Sequence, residues 1–410
     1  MTAHYQSDVC VIGAGPAGAS AAALLRRAGY RVLVAEKEKF PRFVIGESLL
    51  PRCMDLLEEA GLLAAGEACN FMVKNGAMFL REDQRQGFDF REQFSRGWRY
   101  TWQVPRAEFD QALTDAIAQM GVEILWQHTV EGVEFSDRGP RVALRSQSGE
   151  TAIVDCRFIL DGSGYGRVLP RLLDLEAPSP LPRRESLFTH VRGDQRPEGD
   201  EAGKIWICML PQNGWLWIIP FADDRTSVGV VADPSFFGQF VGDLDEQLSA
   251  IIDLDSNSRR RLAGREALFS ARRISGYSVA VKRLFGDGYA LMGNATEFLD
   301  PVFSSGVTLA LESANRAAKT LIRQLDGQAV DWQRDYVDYM SQGIETFRTY
   351  VNAWYDGSLP AIFFSPDPAP EVRRQLCSVL AGYVWDMENP YVAQHAKGVA
   401  TLAKLCRFNN

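Results

Sequence analysis

Ser7-Asp8-Val9-Cys10-Val11-Ile12-Gly13-Ala14-Gly15-Pro16-Ala17-Gly18 is the stretch that decides the fold. Its first half is short and rich in β-branched residues, and an alanine- and leucine-rich segment, Ala19 to Ala28, follows the glycines. The order reads strand, tight glycine turn, helix. A second apolar strand, Arg31 to Ala35, then ends in Glu36. In this setting Gly13 permits the turn, Gly15 lets the backbone approach a pyrophosphate, and Gly18 allows close helix packing, with Ala17 on the same turn. Glu36 is placed to accept hydrogen bonds from a ribose. The pattern predicts a dinucleotide site in an α/β fold, the competing reading being a glycine turn without a ligand.

Later segments extend the site. Val154 to Leu160 is a strand running into Asp161-Gly162-Ser163-Gly164, and Tyr289 to Met292 runs into Gly293-Asn294-Ala295. Then Phe298-Leu299-Asp300-Pro301-Val302-Phe303-Ser304-Ser305-Gly306-Val307 sets a proline, two hydroxyls and a glycine before the apolar run Val307 to Ala314. That is a turn feeding a helix N-terminus, which offers free N–H groups and a partial positive charge to an anion or a cofactor edge. With Val104-Pro105-Arg106-Ala107-Glu108-Phe109-Asp110, these segments resemble the FAD-dependent monooxygenase superfamily. The resemblance implies FAD rather than NAD, held also by Arg106, Asp161, Gly293, Asn294, Gly306 and Val307. Asn294 stands where the family has an aspartate, and its amide can still hydrogen-bond a ribityl hydroxyl.

At 410 residues the chain can build more than one domain. A net charge of -8 argues against a nucleic-acid partner. No run reaches the roughly 18 apolar residues of a membrane span, and Met1 to Gln6 is too short and polar for a signal peptide. The seven cysteines are scattered without CxxC spacing, which predicts reduced thiols in a cytoplasmic protein and no metal site.

Pattern alternation returns residues 1–75, 105–175 and 275–325 to one α/β unit, which the resemblance implies is a discontinuous FAD-binding, Rossmann-like domain of the hydroxybenzoate-hydroxylase type. A substrate domain, residues 76–104 and 176–274, would be a largely antiparallel sheet. Its expected strands are Gly76 to Leu80, Tyr100 to Val104, Ser186 to Val191, Lys204 to Leu210, Trp215 to Phe221 and Thr226 to Val231. Residues 326–410 would be helical, with Tyr336, Tyr339, Phe347, Tyr350, Val351, Trp354 and Tyr355 at a helical spacing that suits core packing and caps the substrate side.

Three further features narrow the chemistry. Phe40-Pro41-Arg42-Phe43-Val44-Ile45-Gly46-Glu47-Ser48 precedes a helix opened by Pro51, and Gly214-Trp215-Leu216-Trp217-Ile218-Ile219-Pro220 puts Trp215, Trp217 and Ile219 on one strand face. Lys74 lies in Val73-Lys74-Asn75-Gly76-Ala77, at a domain boundary. Together with the Pro301 to Gly306 turn, these resemble the flavin-dependent halogenases, especially the branch acting on phenols and on pyrroles tethered to carrier proteins.

The resemblance implies that reduced FAD from a separate flavin reductase, O2 and chloride or bromide yield hypohalous acid, which Lys74 guides to an electron-rich aromatic substrate. Ser48 would sit at the cofactor, and Trp215, Trp217, Phe298, Pro301, Ser304 and Ser305 would shape the halide and substrate pocket. An amine suits the task because its neutral form is nucleophilic, its cation donates hydrogen bonds, and burial favours the neutral form. Duller readings stand beside these. Lys74 can be a solvated lysine, Trp215 and Trp217 plain sheet core, Glu47 a cap as readily as a cofactor contact, and His190 a satisfied core or pocket residue. Asp300 and Glu297 can be read as catalytic carboxylates, but as turn residues they read first as solvated. Competing functions are an aromatic monooxygenase or double-bond reductase of the same superfamily, and a non-catalytic flavin-binding pathway protein.

Overall fold

Val9–Ile12 lies inside a six-stranded sheet ordered Phe285–Gly286, Tyr289–Leu291, Phe158–Asp161, Val9–Ile12, Val32–Glu36, Glu123–Trp126. All these pairings are parallel except the hairpin at Phe285–Gly286. A parallel strand covered on both faces must be apolar throughout, and all four residues of Val9–Ile12 are buried. The structure is a computed structural model and describes residues 2–366 and 369–408.

Helix Pro16–Arg27 leaves the glycine turn and packs against the long helix Ser305–Leu325. Its buried face is mostly alanine, so the two backbones approach closely, and Ser20 Oγ donates to Asn315 Oδ1 at 2.5 Å. The helix that begins at the Pro301 turn is thereby fixed against the one that begins at the glycine turn. Both N-termini face the same space.

The second sheet has eight strands. Its main path runs Glu266–Ala267, Glu185–Arg192, Thr226–Ala232, Trp215–Pro220, Ile205–Met209, Gly76–Arg81, Gln84–Asp89, with Arg272–Ser275 also pairing with Glu185–Arg192. Every pairing is antiparallel except that of Ile205–Met209 with Gly76–Arg81. Strand alternation is kept. Trp215, Trp217 and Ile219 join the core shared with the first sheet and the C-terminal helices, while Leu216 and Ile218 pack on the other face against Phe236, Phe237 and Leu248.

Two expectations change. The segment expected at Tyr100 to Val104 forms the strand Thr101–Gln103, outside the large sheet, in a two-stranded ladder with Met72–Lys74 that pairs Thr101 with Lys74. The aromatic cluster of Phe71, Trp102 and Phe109 anchors this ladder to the helix Arg106–Gln119. Residues 128–155 supply three strands of a separate four-stranded sheet, completed by Ala3–Gln6. The tail is helical as read. Its helix Tyr339–Tyr355 buries Phe347, Tyr350, Val351 and Trp354. No helix among the described residues is long and apolar enough to cross a membrane.

Candidate active site

A cavity of about 540 Å³ opens between the two sheets. Gly13, Gly15, Ala17 and Glu36 line one part of it. Glu36 is buried, and its carboxylate accepts from the N–H groups of Ala14 and Glu38 at 2.8 and 2.9 Å, which locks it at the strand end. Arg106 and Arg42 line the cavity beside the glycines. Both pair with one carboxylate, Asp110, at 2.8 and 2.9 Å, which fixes two guanidinium groups side by side next to the glycine turn. A Cβ on Gly15 would meet only the Arg42 guanidinium, at 3.6 Å, so the glycine turn presents bare backbone to open space. Bare N–H groups, a helix N-terminus and two guanidinium groups beside it fit the pyrophosphate of a dinucleotide.

Gly293, Asn294, Phe298 and Pro301 line the cavity from the turns before the other helix, Gly306 and Val307 from its first turn, and Trp217 closes it from the large sheet. The Pro301–Phe303 turn is fixed by Asp300, whose carboxylate accepts from Val302 N–H at 3.0 Å. Ser304 adopts a left-handed backbone, φ 56°, from which helix Ser305–Leu325 starts.

Several expected site residues lie off the cavity wall. Asp161 is fully buried off the cavity wall, and its carboxylate accepts from the N–H groups of Ser163 and Leu169, which fixes the Gly162 turn. Gly18 works between helix and strand. Ser304, Ser305 and Trp215 are behind the wall, Trp215 donating its indole N–H to Tyr355 Oη at 3.0 Å. Asp300 is no solvated turn residue. It is 3% exposed, accepts from the Tyr355 hydroxyl at 2.9 Å, and burial lifts its carboxyl to about 6. Glu297 is paired with Arg348.

Lys74 and Ser48 also stand behind the wall, Ser48 two residues on from the cavity-lining Gly46. Lys74 is 1% exposed, and its ammonium donates to Ser48 Oγ and to the Leu49 carbonyl, both at 2.8 Å. Both acceptors are uncharged, and the Phe90 ring lies 5.6 Å from Nζ. Burial pushes the amine down to about 7. Near neutral pH it therefore holds both forms, nucleophile and hydrogen-bond donor.

The chain matches the FAD binding domain family over residues 6–339. It is 30% identical to a flavin-dependent halogenase, armH3, of Armillaria mellea over 375 residues, 84% of this chain and 72% of that protein. The chain belongs to the flavin-dependent halogenases. A 1H-pyrrole-2-carbonyl peptidyl-carrier-protein chlorinase of Pseudomonas fluorescens is 29% identical over 411 residues, 93% of this halogenase and 90% of that protein. Among solved structures, a flavoprotein/dehydrogenase from Cytophaga hutchinsonii superposes with a TM-score of 0.96 at 46% identity, over 98% of this chain and 99% of that one. The halogenase is an FAD-dependent oxidoreductase whose family halogenates aromatic groups with chloride or bromide. When bound and reduced, FAD would supply the electrons that activate O2.

Sequence reasoning missed one pair outright. Glu47 neither caps the turn nor lines the cavity: its Oε1 lies 2.7 Å from Nε2 of His190 and both are buried, so His190 is a satisfied pocket residue as read, while its partner was not foreseen. Alternation along Glu185–Arg192 held the signal, since Ser186 and Phe188, on the same face as His190, line the cavity.

The buried amine has a thermodynamic consequence. An unfolded lysine titrates near 10.4, so between pH 7 and about 10 the unfolded chain binds one more proton than the folded chain, and stability rises with pH across that window. Below pH 7 both states carry the proton and this dependence vanishes. From pH 7 to 9 the halogenase is expected to gain ~2–3 kcal/mol relative to Lys74→Met. Denaturant unfolding of both at the two pH values measures it, and equal pH slopes would contradict a buried near-neutral amine.

Proposed function

We propose that this enzyme halogenates an electron-rich phenol, pyrrole or other aryl group, with the halide held at the Pro301 to Gly306 turn and hypohalous acid guided by Lys74. The observation that carries the reading is the lysine: buried, near neutral, without a carboxylate among its hydrogen-bond partners, and tied through Ser48 to the segment whose Gly46 lines the flavin cavity. A reactive halogen species needs an acceptor that does not destroy it, and a neutral amine shielded from water meets that need. Arg42, Arg106 and Glu36 hold the cofactor, while Trp217 and Phe298 exclude water from the cavity. Relatives named for pyrrole on a carrier protein support an acyl-carrier-bound substrate, and a separate flavin reductase in the same cytoplasmic compartment would deliver reduced FAD.

A second reading, substrate oxidation without halide, draws on two observations. Lys74 stands behind the cavity wall, and the 46%-identical structural relative is named a dehydrogenase. One assay separates the two. With reduced FAD, O2, bromide or chloride and a phenol or pyrrole acceptor, mass spectrometry is expected to find the acceptor with halogen in place of hydrogen. Product carrying oxygen, or lacking two hydrogens, with no halogen would sink the first reading.

A further inference from the structure

The Asp300–Ser304 turn separates two hollows. Pro301 faces the flavin cavity, whereas Asp300 lines a cleft of about 360 Å³ on the other side. The polar atoms at the Asp300 end form a chain: Trp215 Nε1–H donates to Tyr355 Oη, and the Tyr355 hydroxyl donates to Asp300 Oδ2. The Arg184 guanidinium lies 4.0 Å over the Tyr355 ring and fixes it. Leu181 and Val351 provide apolar walls, and Asn352 and Asp356 complete the lining, the Asp356 carboxylate accepting from Ser358 N–H at 2.8 Å. Ser278 is already committed, donating to the Leu299 carbonyl at 3.0 Å.

Two capacities are unused. An ionised carboxylate has about four acceptor positions, and Asp300 fills one with Val302 N–H and one with Tyr355. Arg184 Nε is buried without a partner among the described residues. One cation against two carboxylates disfavours an anionic ligand. What complements the cleft is a neutral, flat group with an O–H or N–H donor for Asp300 and an oxygen acceptor for Arg184.

We propose that this cleft binds the aryl substrate, as an aryl acyl group whose ring O–H or N–H donates to Asp300 while its carbonyl accepts from Arg184. The assignment rests on the halogenase reading for its substrate class. It places the ring across the Pro301 turn from the flavin cavity, and a ring that donates to a carboxylate gains electron density for electrophilic substitution.

Equilibrium binding by calorimetry to the oxidised, FAD-loaded enzyme without halide tests the cleft apart from halogenation. The probes are 4-hydroxybenzamide and 4-methoxybenzamide, which differ in the donor. The hydroxy probe is expected to bind at least about tenfold more tightly, the usual worth of a hydrogen bond to a charged group. Asp300→Asn should reduce that preference to below about threefold, with FAD content unchanged. Leu181→Trp, which fills the cleft from its loop side, should abolish binding of both probes. No binding to wild type, equal affinity for the two probes, or unaltered binding in Leu181→Trp would overturn the proposal, and the latter two results decide it even if Asp300→Asn does not fold. Absence of halogenated product with probe binding intact would instead remove the halogenase reading and leave the cleft as a phenol site.

Discussion

Replacing Lys74 by alanine is expected to cut halogenated product at least ~10²-fold while FAD still binds, the scale of losing a positioned proton-transfer or nucleophilic group. The amine is buried, titrates at about 7 and has only uncharged hydrogen-bond partners, so nothing near it can substitute. Lys74→Ala also removes a side chain packed beside Phe90, so Lys74→Met is the cleaner probe, keeping the chain and deleting the nitrogen. Lys74→Arg should not rescue, because a guanidinium stays charged where the amine becomes neutral. Product formation by Lys74→Met at more than about a tenth of the wild-type rate would fall short of that loss and remove the amine from the chemistry.

The glycine turn gives the second large effect. A Cβ on Gly18 would lie 1.8 Å from the Gly13 carbonyl oxygen and 2.9 Å from its carbon. Gly13 cannot retreat, since it holds φ at +90° and its own Cβ direction meets the Gly162 oxygen at 2.7 Å. Gly18→Ala must therefore part helix Pro16–Arg27 from the strands on either side of the turn. It is expected to cost more than ~3 kcal/mol in stability, at the upper end of overpacking penalties, and to abolish FAD retention. Gly15→Ala supplies the contrast. Its Cβ fits the protein alone, so stability should change by less than ~1 kcal/mol while FAD affinity drops, because the methyl occupies the space a pyrophosphate would need. FAD absorbance after gel filtration and unfolding of the apoprotein measure the two quantities. Similar behaviour of the two variants would contradict the division of labour between Gly15 and Gly18.

What was legible in the sequence followed local rules. The Val9–Ile12 strand, its glycine turn and Glu36 announce themselves because turn sterics and ribose recognition act over a few neighbouring residues. Alternation likewise placed Trp215, Trp217 and Ile219 on the inner face of their strand. What was not legible depends on partners far apart in the chain. Asp300 reads as a turn residue until Tyr355 and Trp215 close over it, and burial alone raises its carboxyl. Glu47 and His190 are separated by 143 residues and meet only when the Gly46 turn and the large sheet dock. Asp161 was legible as the end of a strand running into a glycine turn but not in its role, since only the folded backbone shows its carboxylate accepting from Ser163 and Leu169. Lys74 shows both sides. Its motif marks it, but only the ladder with Thr101 explains why a lysine at a domain edge is sealed from water.

The central claim is that Lys74 turns flavin-driven oxygen consumption into halogenated product. The most direct measurement is the ratio of halogenated aryl product to O2 consumed, in wild type and in Lys74→Met at matched FAD content, with bromide present. Wild type is expected to give a substantial ratio, and the variant oxygen uptake without halogenated product. Equal ratios in the two proteins would contradict it.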